Sequence, residues 1–512
     1  MIKVSNNNLD LSPYNDDQIN WIYCALDCTL TQEIWEKISS EFDETTRGTY
    51  DFEIQSLKPA MAMTMRGLRV DEDKVKAIRK PLQEKRLQLE RMLHLFSQSV
   101  NGKDLNHNSP VQLKKLLYED LNLPPVVSYK KGKQKISTDR DALESLAESY
   151  PRSRPFCRTI LALRDIDKNL AVLSSKRDTD GRIRCSYNVA GTETGRWSSR
   201  ESPWRTGTNL QNITKDLREV FIPDENNKMF YADLEQAESR AVAYLAADQN
   251  YIDVCESTDL HTEVVKMVWP NLGWSDDPVQ DRALADRKYY LHHTYRDICK
   301  RAGHGTNYGV SPHSLARQIK IKVSQATRFQ LLYFGGVISS TSLERWHKQD
   351  PQGGYKELID QGEKIGKDTL KIKGAFPGIR VWHSAIQTEL LEKGSLVTPM
   401  GRRRHFWDRL KDASTLRAAI AFVPQSTIGD LLNLGLWRVY DELKDSGVEV
   451  LGQVHDAILG QCHKDKIDEL MPIVLEKMHN PLTVNGREMI IPSSVEVGDN
   501  WKDMKTWTNS IK

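Results

Sequence analysis

The sequence predicts a protein of the α+β class that is divided into several domains. Its 512 residues are enough to form several hydrophobic cores. Helical periodicity is found at residues 70–100, 109–117 and 141–148, whereas short apolar runs at residues 229–232 and 448–461 are typical of buried strands. The chain is therefore predicted to contain both helices and strands.

Composition narrows the function classes. Lys and Arg total 72 and Asp and Glu total 70, so the formal net charge at pH 7 is only +2. This balance does not exclude nucleic-acid binding, because the local field at a cleft matters more than the total charge. No long apolar run and no signal peptide is visible, which argues against a membrane partner. The seven cysteines form no CxxC pair and show no zinc-ligand spacing, so an intracellular, cytoplasmic location is expected.

The first 150 residues are predicted to be mainly helical. Asp51-Phe-Glu53 lies in a helical stretch and is interpreted as surface charge. Ser109 and Pro110 are a favourable N-cap and first position for a helix. The basic segments Tyr129–Lys135 and Arg402–Arg404 could each contact phosphates, although such runs are more often solvated loops.

Two aspartates are predicted at the ends of strands. Met229–Ala232 is short and apolar, and the pattern becomes helical after Asp233, which therefore marks a strand-to-helix junction. Val448–Gln461 has two apolar runs around His455-Asp456 and predicts a hairpin with Asp456 at its tight end. A lone aspartate at a strand end usually caps a helix or forms a turn, but two on separate strand ends can jointly bind Mg²⁺.

One predicted helix carries an unusual polar face. Arg296, Lys300, His304 and Tyr308 recur every four residues, and each step of four advances the side chain by only ~40° around a helix. Two cations fit a polyphosphate and two flat rings fit a base and a sugar, so this face could bind a nucleoside triphosphate. The alternative is a solvated basic stripe with two half-buried rings.

Together, these segments resemble motifs A, B and C of the family A DNA polymerases, the group that includes bacterial DNA polymerase I. The matching residues are, in motif order, Asp233, Gln236, Glu238 and Arg240; Arg296, Lys300, Tyr308 and Gly309; and Gln453, Val454, His455 and Asp456. Further matching segments are Thr194–Arg196, Asn209–Ile213, Asp259–His261, Gly401–Arg404 and Arg417–Gln425. The resemblance covers roughly residues 54–512.

The resemblance implies a right-hand polymerase fold with an antiparallel-sheet palm, helical fingers and a helical thumb. The implied domains are a helical remnant of an exonuclease-like domain at 1–53, the thumb at 54–181, the first part of the palm at 182–243, the fingers at 244–416 and the second part of the palm at 417–512.

The implied activity is that of a DNA-directed DNA polymerase, a nucleotidyltransferase that adds dNTPs to the 3′-hydroxyl of a primer by two-metal phosphoryl transfer. Asp233 and Asp456 would be catalytic and, with the carbonyl of Leu234, would bind two Mg²⁺ ions, for which Mn²⁺ could substitute. The residues implied to bind the dNTP are Arg296, Lys300, His304, Tyr308, His261, Gln236 and Glu238. Those implied to bind primer–template DNA are Arg196, Asn209, Gln211, Arg417, Gln425 and His455.

The sequence departs from the family pattern at several positions. His304 stands where the family usually has Phe or Tyr, and we expect it to influence selection at the sugar. Gly303 and Gly305 beside it indicate either tight packing or a compliant helix, since each weakens a helix by ~1 kcal/mol relative to Ala. Ala457 replaces the usual Glu of motif C.

Tyr23 and Asp27 resemble the last motif of the family's 3′–5′ exonuclease domain, but only 22 residues precede Tyr23. We therefore expect no proofreading by this chain alone, and either a lost domain or a separate exonuclease or processivity chain as partner. The compact design is reminiscent of phage replication polymerases. Two alternatives are a single-subunit RNA polymerase, which Glu238 argues against, and an inactive DNA-binding protein derived from a polymerase, which the retained aspartates and cations argue against.

Overall fold

The computed structural model describes residues 11–130, 133–202, 204–257, 259–275, 277–290 and 293–508. The first described elements are three long helices and a short strand. These elements are α1 (Asp16–Ser39), α2 (Glu44–Arg66), β1 (Leu68–Val70) and α3 (Glu72–Asn101). Asn15 forms a capping box with Gln18 at the start of α1. Along Asp16–Ser39 no residue is buried, and α1 is attached mainly through Trp35, whose ring stacks on Tyr50 of α2 at 4.8 Å between centroids.

A small helical unit with its own core follows. Its elements are α4 (Pro110–Lys114), a π-helical turn at Lys115–Asp120, β2 (Val127–Lys130), β3 (Lys133–Ile136), α5 (Arg140–Ser149) and α6 (Arg154–Leu173). Ser109 caps α4 and Pro110 takes its first position, as predicted. The unit's core joins Leu93 of α3 to buried side chains of α5 and α6, such as Leu143 and Ile160. The predicted basic loop is a β2–β3 hairpin, and its residues 131–132 lie outside the described residues.

The middle of the chain alternates short strands with helices. In order, its elements are β4 (Arg182–Ile183), β5 (Ser186–Asn188), β6 (Ser198–Arg200), β7 (Phe221–Ile222), β8 (Asn227–Leu234), α7 (Ala237–Leu245), α8 (Gln249–Glu256), α9 (Leu260–Val268), α10 (Pro278–Ala285), β9 (Lys288–Tyr290), β10 (His293–Thr294), α11 (Tyr295–Asn307), α12 (Pro312–Ile319), α13 (Val323–Phe334), β11 (Gly336–Ile338), α14 (Ser340–Gln349), α15 (Tyr355–Gln361), β12 (Glu363–Gly366) and β13 (Thr369–Ile372).

The last part of the chain returns to the sheet. Its elements are α16 (Pro377–Lys393), β14 (Ser395–Val397), β15 (Arg403–His405), α17 (Ala413–Leu443), β16 (Glu449–Val454), β17 (Ala457–His463), α18 (Ile467–Met478), β18 (Leu482–Val484), β19 (Arg487–Met489), β20 (Ser493–Gly498) and β21 (Met504–Thr506).

A five-stranded antiparallel sheet with the order β16-β17-β8-β20-β21 organises the molecule. The predicted strand at Met229–Ala232 and the predicted hairpin around His455-Asp456 are both confirmed as parts of it. Phe230 of β8 lies over Gly460 of β17, where an added Cβ would come within 2.2 Å of the ring. The ring therefore occupies the space that any larger side chain at this position would need. The sheet and its helices form the mixed, right-hand α+β architecture that the sequence predicts.

One continuous core connects the sheet to the helices, and α17 runs through it with most of its residues buried. The predicted domain boundaries after residues 53, 243 and 416 each fall inside a single helix, α2, α7 and α17. In α2, Ala60 and Met63 belong to this large core rather than to the separate core of the helical unit. A thumb that starts at residue 54 would therefore cut a helix that packs on the sheet.

In the basic segment Arg402–Arg404, Arg402 is not the phosphate-binding or solvated residue that the sequence suggested, whereas Arg403 is exposed. Arg402 is only 8% exposed and forms a two-pronged ion pair with buried Asp430 of α17, at 2.9 and 3.0 Å. It also donates to Glu53 of α2 at 2.5 Å, so interpreting Glu53 as surface charge was wrong. Arg403 and Arg404 pair with carboxylates as well. The segment fastens α2 and α17 together.

We predict that Asp430→Ala lowers the free energy of unfolding by about 3–5 kcal/mol, because it leaves the Arg402 guanidinium buried without its main partner. The matched control is Glu193→Ala, which removes the exposed partner of Arg404 and should cost less than about 1 kcal/mol. Urea unfolding followed by circular dichroism measures both. Equal losses in the two variants would contradict the structural role given to the buried pair.

Candidate functional site

The register of three neighbouring strands brings the two predicted aspartates together. Asp233 of β8 lies opposite Ala457 of β17, so Asp456 in the two-residue turn before β17 lies beside it. The N–H of Leu234 donates to the carbonyl of Asp456 at 3.1 Å, which fixes this register. His455 takes a left-handed φ of 56°, an uncommon conformation for a residue other than Gly, and such strain is typical of functional turns.

The electrostatics of this pair are unfavourable without a counter-charge. Burial, and then the negative charge of Asp456, raise the pKa of Asp233 to about 6. Burial also raises the pKa of Asp456, although the neighbouring Arg196 opposes the shift. Two partly buried carboxylates side by side favour binding either a proton or a cation.

Arg196 is the cation nearest to the pair. Its Nη2 lies 3.4 Å from Asp456 Oδ1 and 3.1 Å from Glu238 Oε1. It follows Gly195, whose φ is 73° and where a Cβ would come within 2.4 Å of Nε of Arg402. The Gly195 carbonyl accepts from Asn433 at 3.1 Å.

The loop that carries Arg196 therefore rests on buried polar residues of the core, and Gln453 donates in turn to Asn433 at 2.6 Å. Sequence reasoning did not assign this supporting role to Arg402 and missed Asn433. The resemblance of Gly401–Arg404 to the family pattern was the only indication in the sequence that Arg402 has a role.

The predicted nucleotide-binding helix is present as α11, and Thr294 caps its start. Lys300 and His304 line a small cavity together with His261 of α9. Burial, and then the charges of Arg296 and Lys300, lower the pKa of His261 to about 4, so this imidazole is neutral at neutral pH. Arg296 is close to His261 but does not line the cavity, and its Nη2 pairs with Asp259 at 2.9 Å.

The two rings of the predicted face lie at the C-terminal end of α11. Tyr308 follows the last helical residue, is 8% exposed and meets the His304 ring edge to face at 5.0 Å between centroids. His304 Nδ1 lies 3.1 Å from Glu238 Oε2. Glu238 therefore contacts both Arg196 and His304, and this contact links the helix to the carboxylate site.

The contacts around Gly303 and Gly305 bear on whether these glycines serve tight packing or a compliant helix. A Cβ on Gly303 would lie 3.5 Å from the Tyr333 ring, and one on Gly305 would lie 3.2 Å from Leu315. Only the contact at Gly305 is tighter than an ordinary van der Waals contact, so the packing interpretation is supported at Gly305 and not at Gly303.

Arg196 also lines a second cavity. It is lined by Asn209, Gln211 and His455 as well as by Asp456. The Asn209 side chain accepts from Ser199, and the Gln211 side chain donates to the carbonyl of Trp197. Arg417 is exposed and Gln425 half-buried on α17, and neither lines this cavity. Gln236 is exposed at the start of α7, with a left-handed φ of 54°.

Comparison with known proteins identifies the family. The family model described as DNA polymerase family A matches residues 72–338 and 370–503. The chain belongs to DNA polymerase family A.

Several relatives of this family A chain are bacterial enzymes. It is 26% identical over 497 residues to the thermostable DNA polymerase I of Thermus filiformis, covering 93% of this chain and 51% of the relative. It is 26% identical over 499 residues to DNA polymerase I of Caldicellulosiruptor bescii, covering 93% and 50%. The chain thus spans about half the length of these curated relatives.

A solved structure supports the same assignment. The chain is similar to the POL domain of Pol1 from M. smegmatis, solved in complex with DNA primer-template and dNTP, with a TM-score of 0.64 and 25% identity. The likeness covers 88% of this chain and 70% of that one. Among the residues that the structure describes, no helix of this family A chain is long and apolar enough to cross a membrane.

The donor set of the site suits hard divalent cations. Asp233 and Asp456 offer carboxylates, and the described residues contain no group of three or more His, Cys, Asp or Glu side chains placed to bind a metal. A site with two carboxylates and a main-chain carbonyl leaves coordination positions for water and substrate phosphates, which is how Mg²⁺ is usually bound. The raised pKa of Asp233 also favours cation binding, because a cation would offset the repulsion between the two carboxylates.

In the metal-free family A chain, Asp233 should make stability depend on pH. Because its folded pKa of about 6 exceeds the usual 3.8, its favourable contribution is present below about pH 4 and is lost as pH rises through 6. We expect Asp233→Asn to raise the melting temperature in EDTA at pH 7.5 but to change it little at pH 4. Exposed Asp499→Asn, the control, should show no such difference between the two pH values. A variant no more stable than wild type at pH 7.5 would contradict this interpretation.

Proposed function

We propose that this chain is a DNA-templated DNA polymerase that adds dNTPs to the 3′-hydroxyl of a primer. The observation that carries the proposal is the junction of Asp233 and Asp456 with α11 through Arg196 and Glu238. A site for cations and a site for a triphosphate thus lie side by side. The similar POL domain, whose structure contains primer-template and dNTP, supports the assignment.

Asp233, Asp456 and the carbonyl of Leu234 would hold two Mg²⁺ ions, or Mn²⁺ in their place. When bound, such ions lower the pKa of the attacking hydroxyl and neutralise charge on the triphosphate and the leaving pyrophosphate. The chain's own contribution is to keep both carboxylates in fixed register. Since Asp233 titrates near pH 6, protons should compete with metal below that value.

The triphosphate would lie along α11. Lys300 supplies a point charge and neutral His261 supplies a hydrogen-bond donor in the same cavity. Arg296 would reach the phosphates only by releasing or sharing Asp259, so nucleotide binding would exchange one carboxylate partner for a phosphate. Such an exchange keeps the guanidinium paired in both states.

The sugar would sit between Glu238, Tyr308 and His304. Glu238 is held by Arg196 and His304, so it cannot easily move away from a 2′-hydroxyl. This arrangement favours deoxynucleotides and disfavours the RNA polymerase alternative. Gln236, at the start of α7, would flank the same site.

Primer–template DNA would lie along the second cavity, which Arg196 also lines. Asn209, Gln211 and His455 line that cavity and offer amide and imidazole groups to the primer terminus. Arg417 and Gln425, on α17, would extend the contact surface.

All seven cysteines are free, in keeping with the proposed location in a reducing, cytoplasmic compartment.

Primer extension tests the proposal. Purified protein should extend a primer with dNTPs and not with rNTPs, and Asp233→Asn or Asp456→Asn should reduce the rate below about a tenth while leaving duplex affinity nearly unchanged. Exposed Asp499→Asn is the matched control and should remain fully active. Extension with rNTPs alone would indicate an RNA polymerase, and wild-type protein that binds DNA without extending it would indicate an inactive derivative.

His304 should set part of the selectivity at the sugar. His304→Phe keeps a flat ring but removes the polar contact with Glu238, so we expect the ratio of dideoxy to deoxy incorporation to change by about tenfold, the effect of losing one polar contact. The ratio of kcat/KM values for ddNTP and dNTP measures the effect. An unchanged ratio would place His304 away from the sugar.

A further inference from the structure

A segment of the proposed fingers lies outside the match to the family model. The family match stops at residue 338 and resumes at 370, and the intervening residues form α14, α15 and β12. β12 completes a three-stranded antiparallel sheet of order β11-β13-β12. We call this sheet with α14 and α15 the fingers insert.

The fingers insert is firmly joined to the body of the fingers. Buried Arg328 of α13 pairs with Glu357 of α15 at 2.8 Å and donates to the carbonyl of Gly354 at 3.0 Å. The side chain of Gln325, also buried, donates to the carbonyl of Gly353 at 2.9 Å. Buried, well-partnered contacts of this kind hold the insert in one position.

A groove of about 680 Å³ lies between the insert's sheet and the start of α16. Lys371, Lys373 and Arg380 line it, together with the ring of Phe334. The Arg380 guanidinium lies over that ring at 5.2 Å and donates to the carbonyl of Gly335 at 2.6 Å. Cations beside an aromatic ring are the usual lining of a groove that binds single-stranded nucleic acid.

The charge of this groove is positive because most nearby acids have other partners. Glu357 pairs with Arg328, Asp350 with Lys322, and Asp368 accepts from the start of α14. Glu363, opposite Lys371 in the sheet, is the carboxylate that lines the groove. Three cations and one carboxylate give a net charge of about +2 toward a polyanion.

The groove starts close to the end of α11. His383, on α16 and three residues after Arg380, donates to the carbonyl of Asn307 at 2.8 Å. A Cβ on Gly309 would lie 3.9 Å from the His383 ring, and that ring meets Phe334 at 6.3 Å between centroids. His383 therefore lies between the groove and Tyr308 and Gly309, at the end of the helix proposed to bind the nucleotide.

We infer that this groove binds the unpaired template strand before it enters the active site. The inference rests on the proposed polymerase function and extends it to a site made in part by the fingers insert. Phosphates would contact Lys371 and Lys373, and bases would stack on the Arg380 guanidinium that lies over the Phe334 ring. Binding of this kind depends on salt and tolerates any sequence.

The test compares two primer–templates, with 5′ template overhangs of 1 and 12 nucleotides, by fluorescence anisotropy. Wild-type protein should bind the longer overhang more tightly. The double variant Lys371→Glu/Lys373→Glu should lose about tenfold in affinity for it and little for the shorter one. The control Lys364→Glu/Lys367→Glu makes the same charge change on the β12–β13 turn, outside the groove lining, and should retain the preference.

Three outcomes would overturn the inference. One is a wild-type affinity that does not depend on overhang length, and another is an equal loss for both substrates in the groove variant. The third is competition by a polyglutamate peptide but not by single-stranded DNA, which would indicate an acidic protein partner. Extension of the short-overhang primer–template tests polymerase activity alone and should be retained in both double variants. Loss of polymerase activity can therefore be distinguished from loss of template binding in the groove. Melting temperatures confirm that both variants are folded.

Discussion

The forced proximity of Asp233 and Asp456 is the constraint around which the rest of the structure is arranged. Strand register, not side-chain attraction, holds the two carboxylates together, and their mutual repulsion opposes folding. The sheet tolerates this because every strand beside β8 is paired along its length and the hydrophobic core continues on both sides. The fold thus provides a charge arrangement that a cation would stabilise.

Support for this site extends deep into the core. Arg402 and Asp430 form a base beneath Gly195, Asn433 fixes the Gly195 carbonyl, and Arg196 then reaches Asp456 and Glu238. These polar contacts are closely packed, so a displacement of the buried Arg402–Asp430 pair would also displace Arg196 and change its contact with Asp456. The same buried arginine joins α2 to α17, and stability and site geometry therefore depend on one side chain.

Local sequence patterns were sufficient to predict the strand before Asp233, the hairpin around Asp456 and the helix from Arg296, because each depends on neighbouring residues. They could not predict the ion pair between Glu53 and Arg402, whose partners are 349 residues apart in the chain. Nor could they show that Arg296 turns toward Asp259 or that His304 meets Glu238. The domain boundaries stay a prediction, and α2 and α17 are continuous helices that each run across one of them.

Helix α1 shows how unevenly stability is distributed in this chain. It has no buried residue between Asp16 and Ser39, and its aromatic contacts are made by Trp35 near its last turn, with Phe42 and Tyr50. Its peptide hydrogens can therefore exchange with solvent through local fraying that leaves the core intact, earliest at the end far from Trp35. In α17, by contrast, the buried backbone opens only when the sheet beneath it does, so the two helices belong to different cooperative units of the same molecule.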